Sequence, residues 1–166
     1  AGARVRGVGH GVVSDVPGAD PNRGVPHHGV QSPLHTAKLS WTLLRAGFFA
    51  PNLADAYRTD IAGDSRIFLP AGRGRVAFID VRDVGEVTAA VFADPVAHRG
   101  AGYTLTGGQA LDFDEVAAIL TRALGRPIRY EAATVLAYLR HLRGQGLPVP
   151  LILVQTILHT GLRRGQ

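Results

Sequence analysis

Apolar and polar positions along this chain fall in blocks, and the blocks set the expected elements. Residues 39–44 are apolar and β-prone, the pattern of a strand buried on both faces of a parallel sheet. Arg45 and Gly47 then break the run, Phe48 and Phe49 follow, and Pro51 and Asn52 open an expected helix over residues 52–60. A buried strand ending this way delivers its last side chains to the carboxyl edge of the sheet, where open α/β sheets bind ligands. From pattern alone the two aromatics read equally well as core residues.

Upstream, residues 11–16 form a short apolar run that reads as another buried strand, and residues 4–8 as the tail of a helix. Residues 17–26, rich in Pro, Gly, Asp and Asn, read as a loop; residues 27–38 read as a helix, although Gly29 and Pro33 weaken it. Strand, crossover and strand make a βαβ unit, so the two strands are expected to be parallel neighbours.

Downstream, residues 66–69 and 75–79 flank Gly72 and Gly74, which predicts a hairpin or strand pair. Asp83 and Glu86 match a capping box, with Asp83 as N-cap of a helix that ends near Asp94 and Pro95. Residues 102–106 read as a strand ended by Gly107 and Gly108. Asp112 and Glu115 form a second capping box; Phe113, Val116, Leu120 and Leu124 make one apolar stripe, and Gly125 stops the helix. A short strand at 128–131, an amphipathic helix at 134–143 and a last helix at 150–162, with Pro150 in the first turn, complete the pattern.

Composition narrows the classes. The chain has 166 residues, 46% of them hydrophobic, enough for one domain with a core. The absence of Cys excludes disulfides, thiolate chemistry and Cys-ligated metal. The longest apolar run, residues 147–158, is interrupted by Pro150 and Gln155 and is too short to span a bilayer. With no charged-then-apolar opening segment, the expectation is a soluble cytoplasmic protein. The net charge is +5, and all 18 basic residues except Lys38 are arginine. They are scattered rather than clustered as on a nucleic-acid surface, so they read as solvated charge or as attraction for an anionic ligand. The chain contains no Met and opens in mid-pattern, which predicts further sequence before residue 1.

Several groups carry candidate chemistry. Gly7, Gly9 and Gly11 do not fit the G-x-G-x-x-G spacing and follow no strand. His27, His28 and His35 make a poor metal site, because adjacent histidines rarely share a metal and no carboxylate stands at ligand spacing. His27 is either a hydrogen-bond donor toward a cofactor or an exposed loop histidine. Asn52 is either a helix cap or a polar group of a pocket. Asp80 and Asp83 look like paired carboxylates, but the capping position favours a structural role.

Three stretches together resemble the NmrA-like group of atypical short-chain dehydrogenases/reductases: residues 39–52 with Arg-x-Gly-Phe-Phe and x-x-Asn-Leu, residues 77–84, and Tyr103-Thr104-Leu105-Thr106-Gly107 followed by a capped helix and Leu124-Gly125-Arg126-Pro127. Pro26, His27 and His28 before the crossover helix fit as well. The resemblance implies α/β architecture: a partial Rossmann-like parallel sheet with a small C-terminal substrate-binding α/β subdomain. The whole chain would then be one incomplete NAD(P)-binding domain, with residues 1–60 the C-terminal part of the nucleotide-binding sheet and 61–166 a mixed sheet and helical substrate cap. The family's glycine-rich pyrophosphate loop aligns before residue 1, so binding by this chain alone is doubtful. The resemblance implies NAD(P) as the cofactor, with NADP expected over NAD.

The Tyr-x-x-x-Lys pair of typical short-chain dehydrogenases is absent. The family's Ser position falls at Ser14 or Asp15, and its Lys at or near His27, four residues after Arg23. Carbonyl reduction with a tyrosine acid is therefore not expected, and His27 is left as the sole candidate catalytic group. By the resemblance, Ser14, Asp15, His27, Arg45, Gly47 and Phe48 border the cofactor, and Phe49, Asn52 and Tyr57 line the substrate pocket. The leading reading is a reductase transferring hydride to a small quinone-like or aromatic acceptor, with homodimerisation as a further possibility. The alternative is an NAD(P) sensor that acts through a protein partner without turnover.

Overall fold

The computed structural model describes residues 10–15 and 40–163, and the expected elements at 4–8, 17–26 and 27–38 lie outside them. In chain order the described elements begin with strands β1 (His10–Asp15), β2 (Ser40–Ala46) and β3 (Phe48–Phe49) and a 3-10 turn at Ala50–Leu53. Helix α1 (Arg58–Gly63), strands β4 (Arg66–Leu69) and β5 (Val76–Ile79) and helix α2 (Val81–Ala93) follow. Then come strands β6 (Gly102–Leu105) and β7 (Ala110–Leu111), helix α3 (Phe113–Leu124), strand β8 (Arg129–Ala132) and helices α4 (Val135–Gly144) and α5 (Val149–Leu162). They fold as two compact units, one of Ala1–Phe49 with Phe78–Gly107, the other of Ala50–Ala77 with Gly108–Gln166.

The first unit is built on parallel strands. β2 is central, with β1 on one side, in register from His10 opposite Ser40 to Asp15 opposite Arg45, and β6 on the other. Thr42, Leu43 and Leu44 are consecutive and all fully buried, so both faces of β2 are covered. Gly47 alone separates β2 from β3; its N–H donates to Leu105 O at 2.8 Å, and β3 then pairs in parallel with the end of β5 through Phe48 opposite Phe78. Gly47 is thus the point at which the chain changes pairing partner. Gly107 serves the same crossing from the other side: a Cβ there would stand 2.0 Å from Phe78 O. Helix α2 buries Val91.

The second unit joins β4 and β8 in parallel, and the start of β5 pairs antiparallel with β7. Around them α3 buries Phe113, Val116 and Ala117, α4 buries Tyr138 and Leu142, and α5 buries Ile152, Thr156 and His159.

Three expectations are corrected. Residues 66–69 and 75–79 do not pair as a hairpin. Ile67 and Leu69 are fully buried and Phe68 nearly so, which is the signature of a strand covered on both faces, and β4 takes a distant parallel partner. The link between them is shaped by Gly74, where a Cβ would meet Leu162 O at 2.4 Å, and not by a two-residue hairpin turn. The N-cap of α2 is Asp80, not Asp83: its backbone is extended, its carboxylate accepts from Arg82 N at 2.8 Å, and Asp83 falls inside the first turn. The helix expected over 52–60 is a 3-10 turn followed by turns, with the α-helical hydrogen bonding starting at Arg58. The capping box of Asp112 and Glu115 is present with both bonds at 2.8 Å, and Gly125 ends α3 in the left-handed conformation at φ 65°.

Candidate functional site

The carboxyl edge of the first unit is where strand direction converges the candidate residues. Parallel register brings Ser14 opposite Leu44 and Asp15 opposite Arg45 at the ends of β1 and β2. Gly47 follows at once, held to Leu105 at the end of β6. Phe48 is half-buried, with its ring edge-on to Phe78 at a centroid distance of 5.3 Å. Phe49 is likewise half-buried and stands opposite Ile79 in the register. Together Gly47 and Phe48 form a short apolar wall, with one residue that carries no side chain beside a ring that a neighbouring aromatic steadies.

Arg45 behaves differently from its neighbours. Its guanidinium lies back over Gly102, where a Cβ would meet Nη1 at 2.6 Å. Gly102 pairs with Leu43, two residues before Arg45, so the charge is carried toward the strand interior. His27 lies outside the described residues.

Asn52 and Tyr57 belong to the second unit. Asn52 lies in the 3-10 turn, and its carbonyl accepts from Tyr57 N at 3.1 Å. Tyr57 is buried, and its hydroxyl meets His159 Nε2 at 2.5 Å. His159 Nδ1 lies 3.2 Å from the Tyr138 hydroxyl, which in turn donates to Gln155 Oε1. Tyr138 gives its proton to Gln155, so it accepts from Nδ1–H; Nε2 then carries the lone pair and Tyr57 O–H donates to it. Burial pushes the His159 pKa down to about 4, which keeps the ring neutral, and burial, reinforced by Tyr138, raises the Tyr57 phenol above its ordinary range. Beside this chain, Asp60 in α1 meets His141 in α4 at 2.9 Å. Sequence reading missed this network. Its only signal was one histidine in the otherwise uncharged run of α5, which is easily taken for an exposed residue.

A model of the NmrA-like family matches residues 26–163. The chain belongs to that family. Among its relatives, the chain is similar to an NAD(P)H azoreductase of Xenophilus azovorans, 35% identical over 153 residues that cover 90% of this chain and 53% of the relative. An NADPH-dependent quinone oxidoreductase of Escherichia coli, solved in complex with NADPH, superposes with a TM-score of 0.83 at 23% identity, covering 96% of this chain and 56% of that one. A triphenylmethane reductase of Citrobacter sp. gives 0.81 at 21% identity with the same coverage of 96% and 56%. At these identities the structures show a shared fold: the Rossmann-like α/β arrangement of this NmrA-like chain. The chain spans about half the length of the curated relatives it matches. Among the described residues, no helix is long and apolar enough to cross a membrane.

Proposed function

We propose that this NmrA-like chain carries the nicotinamide-facing part of an NAD(P)-dependent reductase whose acceptor is a small quinone-like or other aromatic molecule. The observation that carries the reading is the carboxyl edge of β2, where the chain changes pairing partner at Gly47 and the half-buried Phe48 ring, edge-on to Phe78, gives an apolar wall. That wall fits a nicotinamide ring, and the bound dinucleotide would supply the hydride. The chain's own part is to orient and to exclude water. Gly47 lets the backbone approach closely, Phe48 provides a face, and Phe49 borders the acceptor. Ser14, Asp15 and His27 belong to the cofactor side of the proposal. Arg45 acts there as a positive charge set back from the edge.

The azoreductase and quinone reductase relatives favour turnover over sensing. Among the described residues there is no glycine-rich strand-to-helix turn to cradle a pyrophosphate, so the chain should bind dinucleotide weakly, above the micromolar range. The test is an NADPH titration to millimolar concentration followed by amide NMR, then menadione. Shifts at Gly47 and Phe48 with NADPH, at Phe49 with menadione, and slow NADPH oxidation are expected. Absence of shifts at residues 45–49 overturns the cofactor assignment, and binding without oxidation favours the sensor.

A further inference from the structure

The opposite end of the same sheet holds a second constellation. Register sets His10 directly across from Ser40, and Thr42, two residues on, shares the face of Ser40. His10 therefore reaches both: Nδ1 lies 2.6 Å from Ser40 Oγ and Nε2 lies 2.9 Å from Thr42 Oγ1. Thr42 is fully buried and donates its hydroxyl proton to His98 O at 2.6 Å. Its oxygen can then only accept from His10, so Nε2 carries the proton of the neutral ring and Nδ1 carries the lone pair. Ser40 O–H consequently donates to Nδ1. The ring is steadied on another side by Phe92, edge-on at 6.5 Å.

A hydroxyl on an imidazole lone pair, with the imidazole held from behind by a third group, is the arrangement that activates a serine. Here it borders space. Among the described residues, His10 and Ser40 line a groove of about 340 Å³ with Pro95, Val96 and Arg99. That volume is at the lower end of small-molecule sites, roughly 300–1,000 Å³.

We propose that Ser40 is an acylatable nucleophile with His10 as its base, in a groove that takes small activated carboxylic esters. Ser40 Oγ forms a bond to the acyl carbon as its proton passes to His10 Nδ1. The bond from the acyl carbon to the leaving oxygen breaks, and that oxygen takes the proton from Nδ1 and departs as the alcohol or phenol. Water then adds to the acyl carbon through the same base, releasing the carboxylic acid and restoring Ser40. Pro95 and Val96 give the acyl chain an apolar surface, and Arg99 supplies positive charge for the developing oxyanion. Thr42 is a positioning residue that fixes the tautomer.

The experiment labels the 166-residue chain with a fluorophosphonate, maps the adduct by mass spectrometry and follows p-nitrophenyl acetate for a burst of p-nitrophenol. One adduct at Ser40 is expected, absent in Ser40→Ala. His10→Gln lowers the labelling rate about 100-fold or more. Thr42→Ser labels like the parent while Thr42→Val does not, which separates tautomer control from packing. Labelling elsewhere, or none at Ser40 in a chain that unfolds cooperatively, overturns the proposal. Nicotinamide binding plays no part in this readout, so the proposal and the reductase reading fail separately.

Discussion

The two units bury their polar groups in different ways. In the first, the centre of β2 is apolar but for Thr42, and the histidines among its described residues, His10 and His98, stand half-buried near strand ends. In the second, Tyr57, Asp60, Tyr138, Thr156 and His159 all sit in the interior among the packed helices. A parallel sheet satisfies its own backbone groups and needs no side-chain help to be buried on both faces. Short helices around small strands leave ends and hydroxyls inside, and these must find partners or weaken the fold. The first unit thus frees its polar side chains for edges where ligands can reach them, and the second spends its own on internal structure.

The sharpest break of that comparison is the removal of apolar filling from the second unit. Phe113 is fully buried with its ring 5.5 Å from Tyr130. Phe113→Ala should destabilise by about 3–5 kcal/mol. Hydrogen exchange should show the loss in α3 and β8, with amides of β2 following only as far as unfolding is global.

Acid is the next lever. His159 titrates at about 4 in the folded chain, against an ordinary value of 6.5. The unfolded chain therefore binds a proton first as pH falls. The stability from the neutral ring is full above pH 6.5, declines between 6.5 and about 4, and is gone below. The shift corresponds to about 3 kcal/mol. Denaturant midpoints at pH 7 and pH 4.5 measure it, and equal midpoints would show that His159 is not held as described. Tyr57→Phe is gentler. It leaves His159 Nε2 buried without its donor and should destabilise by about 1–3 kcal/mol.

These contrasts also show what was legible in the sequence. The strand expected at 40–44 and its parallel partner followed from apolar runs with few polar interruptions joined by a crossover length, and α3 followed from Asp112, Glu115 and Gly125, because those signals are local. The β4–β8 pairing was hidden, since a strand's partner some sixty residues away leaves no mark in its own pattern. The edge at Gly47 and Phe48 was readable as a strand end, but the lie of Arg45 over Gly102 depends on β6. His159 and His10 were unreadable for the same reason: a histidine's role is set by what packs or pairs across from it.

The smallest effect separates the two helix starts. Asp112 and Asp83 both stand three residues before a glutamate, and both match the capping pattern on paper. Only Asp112 has the geometry: its backbone is extended, its carboxylate accepts from Glu115 N, and Glu115 returns a bond to Asp112 N. Arg75 adds a contact to each carboxylate, at 3.6 Å to Asp112 and 2.9 Å to Glu115. Asp112→Ala should therefore destabilise the second unit by about 1 kcal/mol, mainly through the lost cap, because Arg75 is half-exposed and its ion pairs are weak. Asp83 is exposed in the first turn of α2, and the cap it would have supplied is already made by Asp80. Its effect is limited to the helix dipole, so Asp83→Ala should fall within about 0.5 kcal/mol of the parent. Thermal unfolding of the two variants side by side measures the difference. If Asp83→Ala is the more damaging, α2 begins at Asp83 in solution and the start at Val81 is wrong.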